Sequence, residues 1–114
     1  MKTVDEIYEA IASNINTVIK EDWQKAILNI EVLGGMTTNS GTYINNLEEQ
    51  KQIDVEEFDF QLTFDLIELH EITTEGGNNK WNKAVFTLFS TGKFDMEFIW
   101  DQELNDEVER LSKE

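Results

Sequence analysis

The chain contains no cysteine and no proline. Without cysteine it can build neither a disulfide framework nor a thiolate metal site, a composition that suits a reducing compartment. No Pro-rich linker, internal repeat or low-complexity segment divides its 114 residues, a length that suits one domain around one core. No apolar run approaches the roughly 20 residues needed to cross a membrane as a helix. The opening MKTVDEIYEA is amphipathic and acidic rather than a basic n-region before an apolar block. No signal peptide is therefore expected, and the expected location is the cytoplasm.

Basic residues are also scarce. Nine Lys and Arg stand against 24 Asp and Glu, a formal net charge of −15. Such a surface repels nucleic acid and anionic membrane and draws basic proteins or cations. The bland reading is that acidity keeps a small protein soluble, but the excess exceeds the magnitude of about 2–8 that solubility asks of a small domain. The acids are also clustered. Residues 48–75 hold Glu48, Glu49, Asp54, Glu56, Glu57, Asp59, Asp65, Glu68, Glu71 and Glu75 against the single base Lys51. Residues 95–109 hold seven acids and no base. If the two blocks meet in the fold they make one strongly negative patch, which would steer a basic partner and raise its on-rate. A nuclease, which must grip phosphate, is a partner of that kind.

Residues 81–101, WNKAVFTLFSTGKFDMEFIWD, read as a β-hairpin. The first arm is rich in aromatic and branched side chains, and Gly92 in the Thr91-Gly92-Lys93 turn is free to take positive φ. In the second arm Phe94, Met96, Phe98 and Trp100 alternate with Asp95, Glu97 and, after Ile99, Asp101. One face should therefore anchor the core beneath Ile7, Ile11 and Ile15, and the other should be acidic and exposed.

Elsewhere, Thr3-Val4-Asp5-Glu6 is a capping box. It opens a helix whose stripe is Val4, Ile7, Tyr8, Ile11, Ile15, Val18 and Ile19, at helical spacing. Residues 25–33 read as a strand with Ala26, Leu28, Ile30 and Val32 on one face. The glycine-rich residues 34–41 read as a hairpin loop, since they lack a Walker lysine and lead into no helix. Residues 42–47 return as a second strand. Residues 55–74 fit both periodicities: Phe58, Phe60, Leu62, Phe64 and Leu66 alternate, while Val55, Phe58, Leu62, Leu66 and Leu69 form a helical stripe. Their length favours a helix, with a strand over residues 58–66 as the alternative. Residues 103–113 read as a short helix with Leu104, Val108 and Leu111 inward. The expected fold is α+β, a four-stranded antiparallel sheet with helices packed on its apolar side.

No motif points to an enzyme or a cofactor. A single His70 without cysteine cannot make an ordinary zinc site, and it reads better as an exposed or half-buried helix residue. Residues 101–112 begin like a calcium loop but carry Asp106 where glycine belongs and Ser112 where the bidentate glutamate belongs. Asp95 and Glu97 could be taken for a glycosidase pair, yet any acidic strand offers such pairs.

Two stretches carry a family likeness. One is residues 7–33, IYEAIASNINTVIKEDWQKAILNIEVL; the other is residues 81–101, with its W-x-x-x-x-F-x-L-x-S-T-G-K-F core and acidic second strand. In these the chain resembles the YezG-type immunity proteins, antitoxins of the secreted LXG-type polymorphic toxins of Gram-positive bacteria. Residues 36–75 match only in character. The resemblance implies a cytoplasmic protein that binds and neutralises a nuclease toxin, with no catalytic residues. The alternative is a small acidic secretion chaperone for an exported effector. The residues expected to meet the toxin are Glu56, Glu57 and Asp59, with Asp95, Glu97 and Asp101 on the outer face of the last strand. The oligomeric state is left open.

Overall fold

The computed structural model describes residues 2–33, 35–75, 77 and 80–112. The chain runs through α1 (Val4–Val18), β1 (Trp23–Leu33), β2 (Met36–Asn45), β3 (Gln50–Gln52), a 3₁₀ turn (Val55–Glu57), α2 (Gln61–Thr74), β4 (Lys83–Phe89), β5 (Phe94–Ile99) and α3 (Gln102–Ser112). The strands form one antiparallel sheet in the order β3-β2-β1-β4-β5.

The capping box forms as the sequence implies. Thr3 Oγ1 accepts from the Glu6 backbone N–H at 3.2 Å, and Glu6 Oε1 accepts from the Thr3 N–H at 3.0 Å. The α1 stripe places Ile7, Ile11 and Ile15 wholly inside. Alternation in β1 and β4 puts Ala26, Leu28, Ile30, Val32, Ala84, Phe86 and Leu88 on the same buried face. Leu62, Leu66 and Leu69 of α2 complete the core from above. Both α1 and α2 thus pack on one side of the sheet. The other side carries half-buried or exposed groups, among them Ile27, Asn29, Val85 and Thr87.

The sheet has five strands, not four. The extra one, Gln50-Lys51-Gln52, is polar and three residues long, pairing Thr42 with Gln52 and Ile44 with Gln50, so no hydrophobic alternation marks it. The expected loop over residues 34–41 is also overturned. Leu33 pairs with Met36, and β2 runs straight through Thr37, Thr38, Asn39 and Ser40. Gly34 lies outside the described residues. Gly41 is a strand glycine, not a loop glycine: a Cβ there would stand 2.7 Å from the carbonyl oxygen of Ile27 on β1 and 3.0 Å from Ile53. Glycine in a strand marks such a close approach.

Residues 55–74 do contain a helix, but it starts at Gln61, after the 3₁₀ turn. Glu75 follows it and Gly77 takes a positive φ of 75°; Gly76, Asn78 and Asn79 lie outside the described residues. Trp81 fastens the end of α2 to the hairpin. Its indole N–H donates to Thr73 Oγ1 at 2.7 Å, and its carbonyl oxygen lies 2.8 Å from His70 Nε2. His70 is accordingly a half-buried helix residue.

The hairpin faces the right way but is less deeply buried than expected. Leu88, Phe86 and Ala84 pair with Phe94, Met96 and Phe98, so these share the core side. Yet Phe94, Phe98 and Trp100 remain 48%, 38% and 40% exposed. β5 is the sheet edge, and Phe94 reaches Tyr8 and Phe86 while Phe98 reaches Trp81. They do not lie beneath Ile7, Ile11 and Ile15. Nor does α3 turn its apolar stripe fully inward. Leu104 and Val108 are half-buried, Leu111 is 58% exposed, and none belongs to the core.

Candidate protein-binding surface

The six candidate acids fall into three situations. Glu56 and Glu57 lie in the 3₁₀ turn and are exposed. Asp59 is also exposed, but it has a structural share. Its backbone N–H donates to Asn14 Oδ1 of α1 at 2.7 Å, and its own Oδ1 accepts from the Gln61 N–H at 3.0 Å. These three therefore belong to the helical layer, beside the start of α2, where the helix dipole favours negative charge.

Asp95 and Glu97 pair with Thr87 and Val85 across β4 and β5. They share the side of the sheet opposite the core and are exposed. Among the described residues, no Lys or Arg lies within ion-pair reach of Glu56, Glu57, Asp59, Asp95 or Glu97.

Asp101 is different. It lies beyond the end of β5 and is half-buried, not an exposed acid of the outer face. Its Oδ2 stands 2.9 Å from Lys83 Nζ, and its Oδ1 accepts from the Leu104 N–H at 3.0 Å. The Lys83 ammonium first, and the Leu104 amide second, hold its carboxyl below the ordinary aspartate value. Asp101 thus caps the start of α3 and pairs with Lys83.

The candidate acids of the two blocks do not share one face of the sheet. Glu56, Glu57 and Asp59 sit in the helical layer, whereas Asp95 and Glu97 point from the opposite side of the sheet. Nor is every acid of residues 48–75 available. Asp65 is 3% exposed and ion-paired with Lys2 at 3.0 Å. Lys51, the one base of that block, is committed to Glu21 at 3.1 Å. Glu21 also accepts from Tyr43 Oη at 2.6 Å and Asn45 Nδ2 at 3.2 Å. The Tyr43 hydroxyl first, then Lys51, lower the Glu21 pKa. That cluster ties the α1–β1 connection to the β2–β3 turn.

Two aromatic residues next to the helical-layer acids escaped the sequence reading. Phe60 is 78% exposed and Phe64 58% exposed. They are four apart on a helix whose Leu62, Leu66 and Leu69 fill the core, so they project from its far side. The signal was the double periodicity of residues 58–66. A helix with apolar residues on both faces fills the core with one set and shows the other.

A shallow cleft of about 280 Å³ lies between Val18, Ile19, Glu21, Tyr43, Ile53 and Asp54. Two of its polar groups, Glu21 and Tyr43, are bonded to each other. Among the described residues, no three His, Asp or Glu side chains converge as metal ligands, and no helix is long and apolar enough to cross a membrane.

The chain belongs to the YezG-like immunity protein family, whose sequence profile matches residues 4–114. No individually curated protein matches it. Membership carries the family's general role, immunity against a toxin, and with it a toxin as partner. It is consistent with a binding protein rather than an enzyme.

Proposed function

We propose that this chain is a cytoplasmic antitoxin that binds a cognate secreted nuclease toxin through its acidic surface and keeps it inactive. The observation that supports this most is the set of exposed acids without an ion-pair partner among the described residues, Glu56, Glu57, Asp59, Asp95 and Glu97. Within each of the two groups the like charges repel one another, and docking of a basic partner on that group relieves the repulsion. A nuclease presents basic groups at the site where it grips phosphate, so an acidic inhibitor covers the part of the toxin that does the damage.

The test is growth. Co-expression of the parent chain with the toxin encoded beside its gene rescues cells. Charge-neutral variants at Glu56 and Glu57 (to Gln) and at Asp95 and Glu97 (to Asn and Gln) separate the two layers. Loss of rescue by one pair, with the variant soluble and folded, assigns the interface to that layer. Failure of the parent to rescue, with both proteins soluble, refutes the reading.

A further inference from the structure

We infer that Phe60 and Phe64, on the outward ridge of α2, are the anchors of the interface, entering an apolar pocket rimmed by Lys or Arg on the toxin. The inference rests on the antitoxin reading and names the residues that would carry its affinity.

Three observations converge. The first is exposure. Two phenylalanines on one helix face, 78% and 58% exposed, leave apolar surface in water on the ridge directly away from Leu62, Leu66 and Leu69. Single exposed apolar residues are ordinary, but a contiguous pair on a rigid helix is a candidate contact.

The second is a fixed backbone. The chain at Phe60 is pinned on both sides: the Asp59 N–H donates to Asn14 Oδ1 of α1 at 2.7 Å, Asp59 Oδ1 accepts from the Gln61 N–H at 3.0 Å, and the Phe60 carbonyl oxygen accepts from the Thr63 N–H at 3.1 Å. Aromatic rings presented on a backbone already ordered lose little further freedom when a partner covers them.

The third is charge, which decides the occupant. Residues 52–79 contain no Lys or Arg. Glu56, Glu57 and Asp59 precede the aromatic pair, and exposed Glu71 lies two turns beyond Phe64 on the same ridge. A second copy docked ridge to ridge would bring these acids together and be repelled. A basic surface would be attracted and would desolvate the two rings. Aromatic anchors within a charged rim are the usual composition of an interaction hot spot.

The experiment measures binding of the parent, Phe60→Ser, Phe64→Ser, and Phe64→Tyr to the purified, catalytically inactivated domain of the neighbouring toxin, by calorimetry at physiological salt. The expected result is a loss of about 30-fold or more in affinity for each Ser variant and near-parent affinity for Phe64→Tyr. Melting temperatures of the three variants should stay near the parent value, since both rings are exposed in the free protein. Parent binding with unchanged affinity in both Ser variants would overturn the anchor assignment and leave the antitoxin reading standing. No binding by the parent would sink that reading, and the anchors with it. Sedimentation of the parent as a dimer that Phe60→Ser converts to monomer would also overturn the inference, because the ridge would then serve a second copy.

Discussion

Asn82 and Asp101 grip each other across the open end of the hairpin through two reciprocal bonds. Asn82 Nδ2 donates to the Asp101 carbonyl oxygen at 2.8 Å, and the Asp101 N–H donates to Asn82 Oδ1 at 2.8 Å. Asn82 is only 6% exposed, so both of its polar ends are satisfied where water is excluded. The same Asp101 pairs with Lys83 and caps α3, so one bend in the chain sets where the last helix starts.

Asn82→Ala leaves the Asp101 N–H without its partner, while the Asp101 carbonyl oxygen keeps the Asn105 N–H at 3.2 Å, and should cost about 1–3 kcal/mol, the penalty of an unsatisfied polar group. Thermal denaturation measures the loss, and amide exchange should show it concentrated in α3. Uniform exchange across the sheet and α3 would mean that the helix is held by other contacts.

The acid side of the stability curve should carry the Asp101 signature. Its folded pKa is depressed by Lys83 and the Leu104 amide. A depressed carboxylate contributes stability above its unfolded pKa, near 3.8 for aspartate, and loses it as pH falls through the lower folded value. Relief of repulsion among the many other acids acts in the opposite direction, so the useful quantity is a difference. The gap in melting temperature between parent and Asp101→Asn should be full near neutrality and should close as pH falls below about 4. A gap independent of pH would assign the effect to packing.

The depth of the hairpin predicts unequal costs for equal truncations. Phe86, wholly buried, should lose about 3–5 kcal/mol on change to Ala, whereas Phe98, at 38% exposure, should lose less than about 3 kcal/mol. Urea melts of the two variants compare them directly. Equal midpoint shifts would place β5 as deep as β4.

If charge steers the toxin to this surface, the association rate should fall as salt rises while dissociation changes less. Stopped-flow association with the inactive toxin domain at low and high salt checks this. A flat rate would assign recognition to shape and to the aromatic ridge.

How much of this was legible beforehand follows from how each signal arises. The capping box and the Ile7, Ile11, Ile15 stripe were readable because local periodicity alone determines them. The faces of β1 and β4 were readable for the same reason. β3 was not, because three polar residues join the sheet only through backbone bonds to β2. Gly41 misled because glycine serves turns and close strand contacts alike, and only its register opposite Leu28 tells them apart. The depth of Phe94 and Phe98 depends on which strand is outermost, which alternation cannot reveal. Among the candidate site residues, exposure of Asp95 and Glu97 followed from their position opposite an apolar strand face, whereas Glu56, Glu57 and Asp59 are exposed because they lie in the turn ahead of α2. The engagement of Asp101 with Lys83 depended on a bend that brings together residues from the two ends of the hairpin.

The central place of β1 has a consequence for the order of folding. Its first neighbour, β2, follows it directly in the chain, but Lys25 must wait for Phe89 and Glu31 for Lys83. During synthesis one full edge of β1, bearing Leu28 and Ile30, stays unpaired until α2 and then β4 have emerged. Pairing over such a distance carries a loop-closure cost before any contact repays it, which slows folding. A nascent chain paused within α2 would expose that edge to other chains. That exposure ends when β4 pairs with β1, and the last strand then only moves the open edge of the sheet outward to β5.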